Sequence, residues 1–208
     1  FEKDVRLTGA RVQGNIEVNK SIVEGIFRLN NADVGRNATF NGSRMNAVLM
    51  ASSRFGFNIT AVGSTFDGPV NMTLSRVGGS VNLRGGSTFR NTVTLDSALV
   101  QGNVYADASR FEGLFNLSSA EIERSLLLDK KSTFNEVRMA SAKIGRNVNA
   151  ESSLFTGPVV GDLVTIGGTL IIRNKTQFKD IVRFPRANIA GSLEAADVTF
   201  EKSLDLYG

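Results

Sequence analysis

A hydroxyl returns at near-constant spacing along this chain: Ser21, Ser43, Ser64, Ser87, Ser109, Ser132 and Ser153, then Thr176. Such a row could be a row of nucleophiles, but a serine attacks only when a base removes its proton. The chain has no His and no Cys. That removes the commonest general base, the Ser-His and Cys-His pairs and most zinc chemistry together. The 20 Asp and Glu residues are scattered, with no repeated pair at the separation that glycoside hydrolysis needs. The glycine-rich stretch VGGSVNLRGGS keeps to the spacing of its neighbours, so its glycines suit chain corners better than a phosphate loop. No catalytic, cofactor-binding or metal-ligating residue is expected, and no cofactor. The serines are expected to turn inward and bond to turn backbone. Six Asn-x-Ser/Thr sequons remain, at Asn37, Asn41, Asn58, Asn71, Asn116 and Asn174. All six are expected to face outward, where they would accept N-linked glycans if the chain is exported.

The element that must carry these columns is a repeat. Phe66, Phe89, Phe111, Phe134, Phe155, Phe178 and Phe200 recur at intervals of 21 to 23 residues, and Met45 and Val23 extend the column upstream. Midway between them stand Val12, Val34, Phe55, Val77, Val100, Ile122, Ile144, Ile166 and Ile189. Each half-unit is about eleven residues long, as in DVRLTGARVQG and TVTLDSALVQG. Self-similarity at this period means a solenoid. Within a half-unit the apolar positions step by two, three, two and four residues. Two-residue steps belong to extended chain and not to helix. The expected fold is therefore all-β: one β-helix over residues 1–208, a little over nine coils of two half-units each. At the usual strand spacing this is a rod about 45 Å long.

The core follows column by column. The Phe column should form a buried stack facing the Val/Ile column. A further column alternates in size, through Ala61, Leu83, Ala106, Leu128, Ala150, Ile172 and Ala195, which implies a 44-residue super-repeat and interdigitating coils. Recurrent glycines, among them Gly14, Gly25, Gly68, Gly102 and Gly157, are expected at corners needing positive φ or close backbone approach.

The five-residue pieces ARVQG, ADVGR, STFDG, SRFEG and AEIER resemble the pentapeptide-repeat family. The resemblance covers nearly the whole chain and implies a right-handed quadrilateral β-helix. The chain departs from the family by one extra residue after every second pentapeptide, so its coil is nearer 22 residues than 20. The activity best known in that family is binding DNA gyrase by imitating duplex DNA, which requires a strongly acidic rod. With 24 Lys and Arg against 20 Asp and Glu, and a net charge of +4, this chain does not provide one.

Lys and Arg form no run, so no nucleic-acid partner is expected. Thr65, Thr88, Thr133 and Thr199 share an outward column, but Arg110 and Leu154 interrupt it, and Thr suits any β surface. No apolar stretch is long enough to span a membrane as a helix. The first residue is Phe1 and not Met, which points to a processed or excised chain. Both ends lie within the repeat and look uncapped. The expectation is a non-enzymatic structural protein that associates end to end into a filament or surface assembly, extracellular or at a cell surface. The contacts would run through Val5, Leu7 and Val12 at one end and Phe200, Leu204 and Leu206 at the other. Tyr105, Leu127 and Ile171 would give lateral contacts. Partners would be other copies or other parts of a larger solenoid. The alternative is a protein-binding solenoid module of a larger protein.

Overall fold

The computed structural model describes residues 1–207, which form strands and turns with no helix among them. The chain winds as a four-sided β-solenoid of about nine coils. The first coil shows the four sides at Val5–Arg6, Arg11–Val12, Ile16–Glu17 and the start of Ile22–Arg28. Each side stacks in parallel register on the same side of the next coil, as in Phe66↔Phe89 and Phe89↔Phe111. The second and third sides form separate nine-stranded sheets. The fourth and first sides merge into one fifteen-stranded sheet, because four strands, among them Arg110–Asn116, run through the corner between them.

Short sides follow from the spacing. Two inward residues per side, one position apart, fill the interior, and the residue between them points out. The interior is a narrow column of Val, Ile, Leu, Met and Phe, most of them fully buried. The Phe rings lie face to face along the axis from Phe66 to Phe200, with neighbouring centroids 4.7 to 5.2 Å apart. This distance is the coil rise itself. Val23 and Met45 sit in register below Phe66 and continue the column.

The corners are of two kinds, and this corrects the expectation about glycine. One corner in each half-coil has a residue in the left-handed region, but most such residues are not glycine. Asn31, Ser52, Leu74, Ser97, Ser119, Ser141 and Leu163 hold φ between 54° and 59° at successive corners of the first and second sides. The turn there is closed by an i to i+3 hydrogen bond, for example Ala98 N–H to Leu95 C=O at 2.9 Å. Gly14, Gly25, Gly68, Gly102 and Gly157 occupy the other kind of corner, the one carrying the extra residue, and none of them has positive φ. Close approach explains all of these but Gly14, where an added Cβ would meet nothing within 4 Å.

The 44-residue alternation also has a local origin. After Leu83, Leu128 and Ile172 the corner contains two consecutive left-handed residues: Gly85 and Gly86, Lys130 and Lys131, Asn174 and Lys175. After Ala61, Ala106 and Ala150 it contains one: Gly63, Ala108 or Ser152. A larger inward side chain thus goes with a corner one residue longer, which steps outward to make room for it.

The serines take the role expected of them. Ser64 Oγ donates to Phe40 C=O at 2.7 Å, and Ser87 Oγ to Ala61 C=O at 2.6 Å. Each accepts in turn from the previous coil, as when Ser64 N–H donates to Ser87 Oγ at 3.2 Å. The same corner column is buried from Ser43 to Thr176. Ser53 and Ser75 do this at the opposite corner, where the sequence pattern is mostly Ala.

Candidate functional site

The second side carries the most distinctive surface. Its outward column runs Arg11, Asp33, Arg54, Arg76, Leu99 and Glu121, held in ladder register one coil apart. Beside it runs a column of small residues that includes Gly35, Gly56 and Gly78. Here close packing demands glycine: a Cβ on Gly56 would drive into the carbonyl oxygen of Gly35. With no side chains above it, this strip is the floor of a shallow groove of about 380 Å³, walled by Asp33, Arg54 and Arg76 and ending at Leu99 and Gln101. Short corners were expected to build no pocket with converging polar groups. The corners do not build this one; a glycine column on a flat side does.

Arg11 pairs with Asp33 at 3.7 Å, and Lys143 with Glu121 at 2.8 Å. Arg54 and Arg76 enter no ion pair among the described residues, although most other basic residues on the sheet faces do. They stand one coil apart, like charges with nothing between them. The neighbouring corner adds Arg36, Arg124 and Arg146. Over all coils this side and that corner hold seven basic and three acidic residues, a surplus of four, which equals the net charge of the whole chain. The chain outside this face is therefore balanced, with seventeen of each sign. No run of Lys or Arg announces the face, because its members are about 22 residues apart and are assembled only by stacking. Reading charge by column, as the apolar residues were read, would have found it.

The six sequon asparagines sit at corners, where five are half-buried and Asn174 is exposed. Most are used by the coil. Asn37 Oδ1 accepts from Asn58 N–H at 3.0 Å, Asn41 Oδ1 from Val62 N–H at 2.9 Å, and Asn58 Oδ1 from Ser80 N–H at 2.8 Å. Asn71 and Asn116 cap the residue two positions on, at Thr73 and Ser118. Asn174 donates its amide to Glu151 at 2.8 Å. The first three therefore satisfy N–H groups that the wider corners leave without a carbonyl partner.

A second feature escaped the sequence reading. Asp107 and Asp129 are buried on successive coils, at 4% and 7% exposure. Asp107 is bound by Lys130 at 3.0 Å, and Asp129 accepts from Asn149 at 3.1 Å. One carboxylate oxygen of each has no hydrogen-bond partner. Burial holds Asp129 above the ordinary carboxylate range; Lys130 opposes this, and the neighbouring charges of Asp107 and Glu151 add to it. Among the described residues no group of three acids is placed to hold a metal ion.

The end coils expose what the middle coils bury. Val5, Leu7 and Val12 are half-buried at one end, as is Phe200 at the other. Leu204 and Leu206 are exposed at 38% and 45%. Tyr105, Leu127 and Ile171 share one outward column but are half-buried, and the guanidinium of Arg84 lies 4.3 Å over the Tyr105 ring. Among the described residues no helix is long and apolar enough to cross a membrane. Comparison with protein families, with curated proteins and with solved structures finds no significant match to this chain.

Proposed function

We propose that this chain is a non-enzymatic structural rod, resembling the pentapeptide-repeat family, whose coils continue end to end into a larger assembly. The observation that carries this reading is the match between its two end coils. Leu204 and Leu206 stand on the same side, in the same frame, as Val5 and Leu7. A further coil placed on either end would pair open strand edges and cover apolar side chains that water now touches. That coil can belong to a second copy or to more of the same polypeptide. Between copies the contact is heterologous and does not close, so it propagates as a filament. The buried serines support a structural role, since their hydroxyls are occupied by corner carbonyls and are not offered to a substrate. The setting we infer is extracellular or at a cell surface, where the sequons would be usable.

Light scattering and negative-stain microscopy over a concentration series test this. Fibres or growing particles are expected from the unmodified chain. Val5→Lys with Leu206→Lys should give a folded monomer. A chain that stays monomeric at high concentration would refute self-association. The second reading, a binding module, would then take its place, favoured by the basic face of the second side.

A further inference from the structure

We infer that the groove on the second side binds a linear polysaccharide of uronic acids, with Arg54 and Arg76 each holding one sugar carboxylate. The inference is independent of how the ends associate.

Two observations lead to it. The first is charge. The chain's entire surplus of positive charge lies on this face, and its two central guanidiniums are unpaired. Two adjacent arginines without counter-charges repel each other, and an anion between them removes that cost. The planar guanidinium fork suits a carboxylate, which it grips with two parallel N–H donors.

The second is spacing. Arg54 and Arg76 are ladder partners on consecutive coils. The coil rise, measured on the stacked rings, is 4.7 to 5.2 Å. An extended acidic peptide puts same-face side chains about 6.6 Å apart. A stacked nucleic-acid strand advances about 3.4 Å per phosphate. A pyranose repeat is close in length to one coil and carries one carboxylate per sugar. A uronate chain along the axis can therefore keep step with the arginines.

The rest of the groove fits such a chain. The glycine floor lets flat rings lie close against the backbone. Leu99 and Gln101 at one end supply an apolar contact and an amide for sugar faces and hydroxyls.

The experiment is calorimetric titration of this chain with a de-esterified oligogalacturonate. Parallel titrations use its methyl ester, a neutral dextran, a sulfated glycosaminoglycan fragment, polyglutamate and oligo(dT). We expect the oligogalacturonate to bind, more weakly at higher salt, and better than every other probe. Arg54→Gln with Arg76→Gln should weaken binding by about tenfold or more, the scale of a lost charge-assisted pair. Arg138→Gln, which removes a charge from another side, should not change it. If the double variant unfolds, Arg54→Lys decides, since it keeps the charge, loses the fork and should still weaken binding several-fold. No binding, equal binding by Arg54→Lys or the folded double variant, or tighter binding of polyglutamate, oligo(dT) or the sulfated fragment would overturn the proposal.

Discussion

Phe111 touches the rings above and below it at 4.7 and 4.9 Å and leans on Phe115 at 4.7 Å. It is fully buried, so Phe111→Ala leaves a hole that neighbours locked in register cannot close. The expected cost is roughly 3–5 kcal/mol, read from chemical denaturation. Phe200→Ala should cost much less, because that ring has one neighbour and is half-buried. Asp129 works against the fold at neutral pH. Its raised value means that the folded chain takes up a proton more readily than the unfolded chain. Stability from this group therefore grows as pH falls from neutral through the raised value. Asp67 behaves in the opposite sense. Arg44, and Arg90 beside it, hold its carboxyl below the usual range. Its contribution is present above the ordinary carboxylate value and is lost as pH falls through its depressed one. The thermal midpoint should thus pass through a maximum on the acid side of neutrality. Asp129→Asn should raise the neutral-pH midpoint and flatten the rise; an unchanged profile would show that Asp129 is already satisfied.

At the scale of sides and corners, each left-handed residue is a local choice that the ladder enforces. Leu74 holds φ at 58° while 60% exposed. An L-residue with a bulky side chain loses about 1–2 kcal/mol in that region, and Asn tolerates it better. Leu74→Asn should therefore raise the melting midpoint by about 2–4 °C, following the usual scaling for a chain of this size. Gly161 carries a different constraint. A Cβ there would lie 2.5 Å from the Phe184 ring and 3.1 Å from Met139. Gly161→Ala should cost about 1–3 kcal/mol as overpacking, and Phe184→Leu in the same chain should recover part of it, measured as a double-mutant cycle. These corners mark the boundary of what the sequence makes legible. Inward positions are legible because only apolar side chains satisfy them, so the Phe column, the Val/Ile column and the 22-residue coil stand out. The left-handed corners do not stand out, because Ser, Asn, Lys and Leu occupy them and no single residue type marks the conformation. The basic groove is hidden for another reason: its charges are neighbours only after the coils stack. The corner asparagines look like free surface residues, and their bonds to the next coil's N–H groups exist only in the folded ladder.

For the whole molecule, every strand pair joins residues one coil apart, from Val5↔Phe27 at the start to Val182↔Leu204 near the end. No element reaches past its neighbouring coil to pair. Stability is therefore close to a sum over coils and the interfaces between them. Removing the last coil, from residue 187 onward, should leave a shorter rod that melts cooperatively at a modestly lower temperature. Removing a central coil as a whole 22- or 23-residue unit should rejoin the ladder in register. Circular dichroism of both deletions checks this, and collapse of the shortened rod would show that the coils are not interchangeable.

The uniform reach of these pairings has a consequence for how the chain finds its structure. Partners lie about 22 residues apart in a chain of 208, a mean separation near one tenth of the length. All-β folds usually join distant segments, and relative separations of about 0.16–0.22 make them slow. This chain has the parallel ladder of a β-protein with the contact range of a helical bundle. Once one coil and its neighbour have closed, each further coil closes a loop of the same short length onto a finished edge. Folding should proceed by elongation from a nucleus that can form at any point along the rod, at rates nearer those of helical proteins than of sandwiches of the same length.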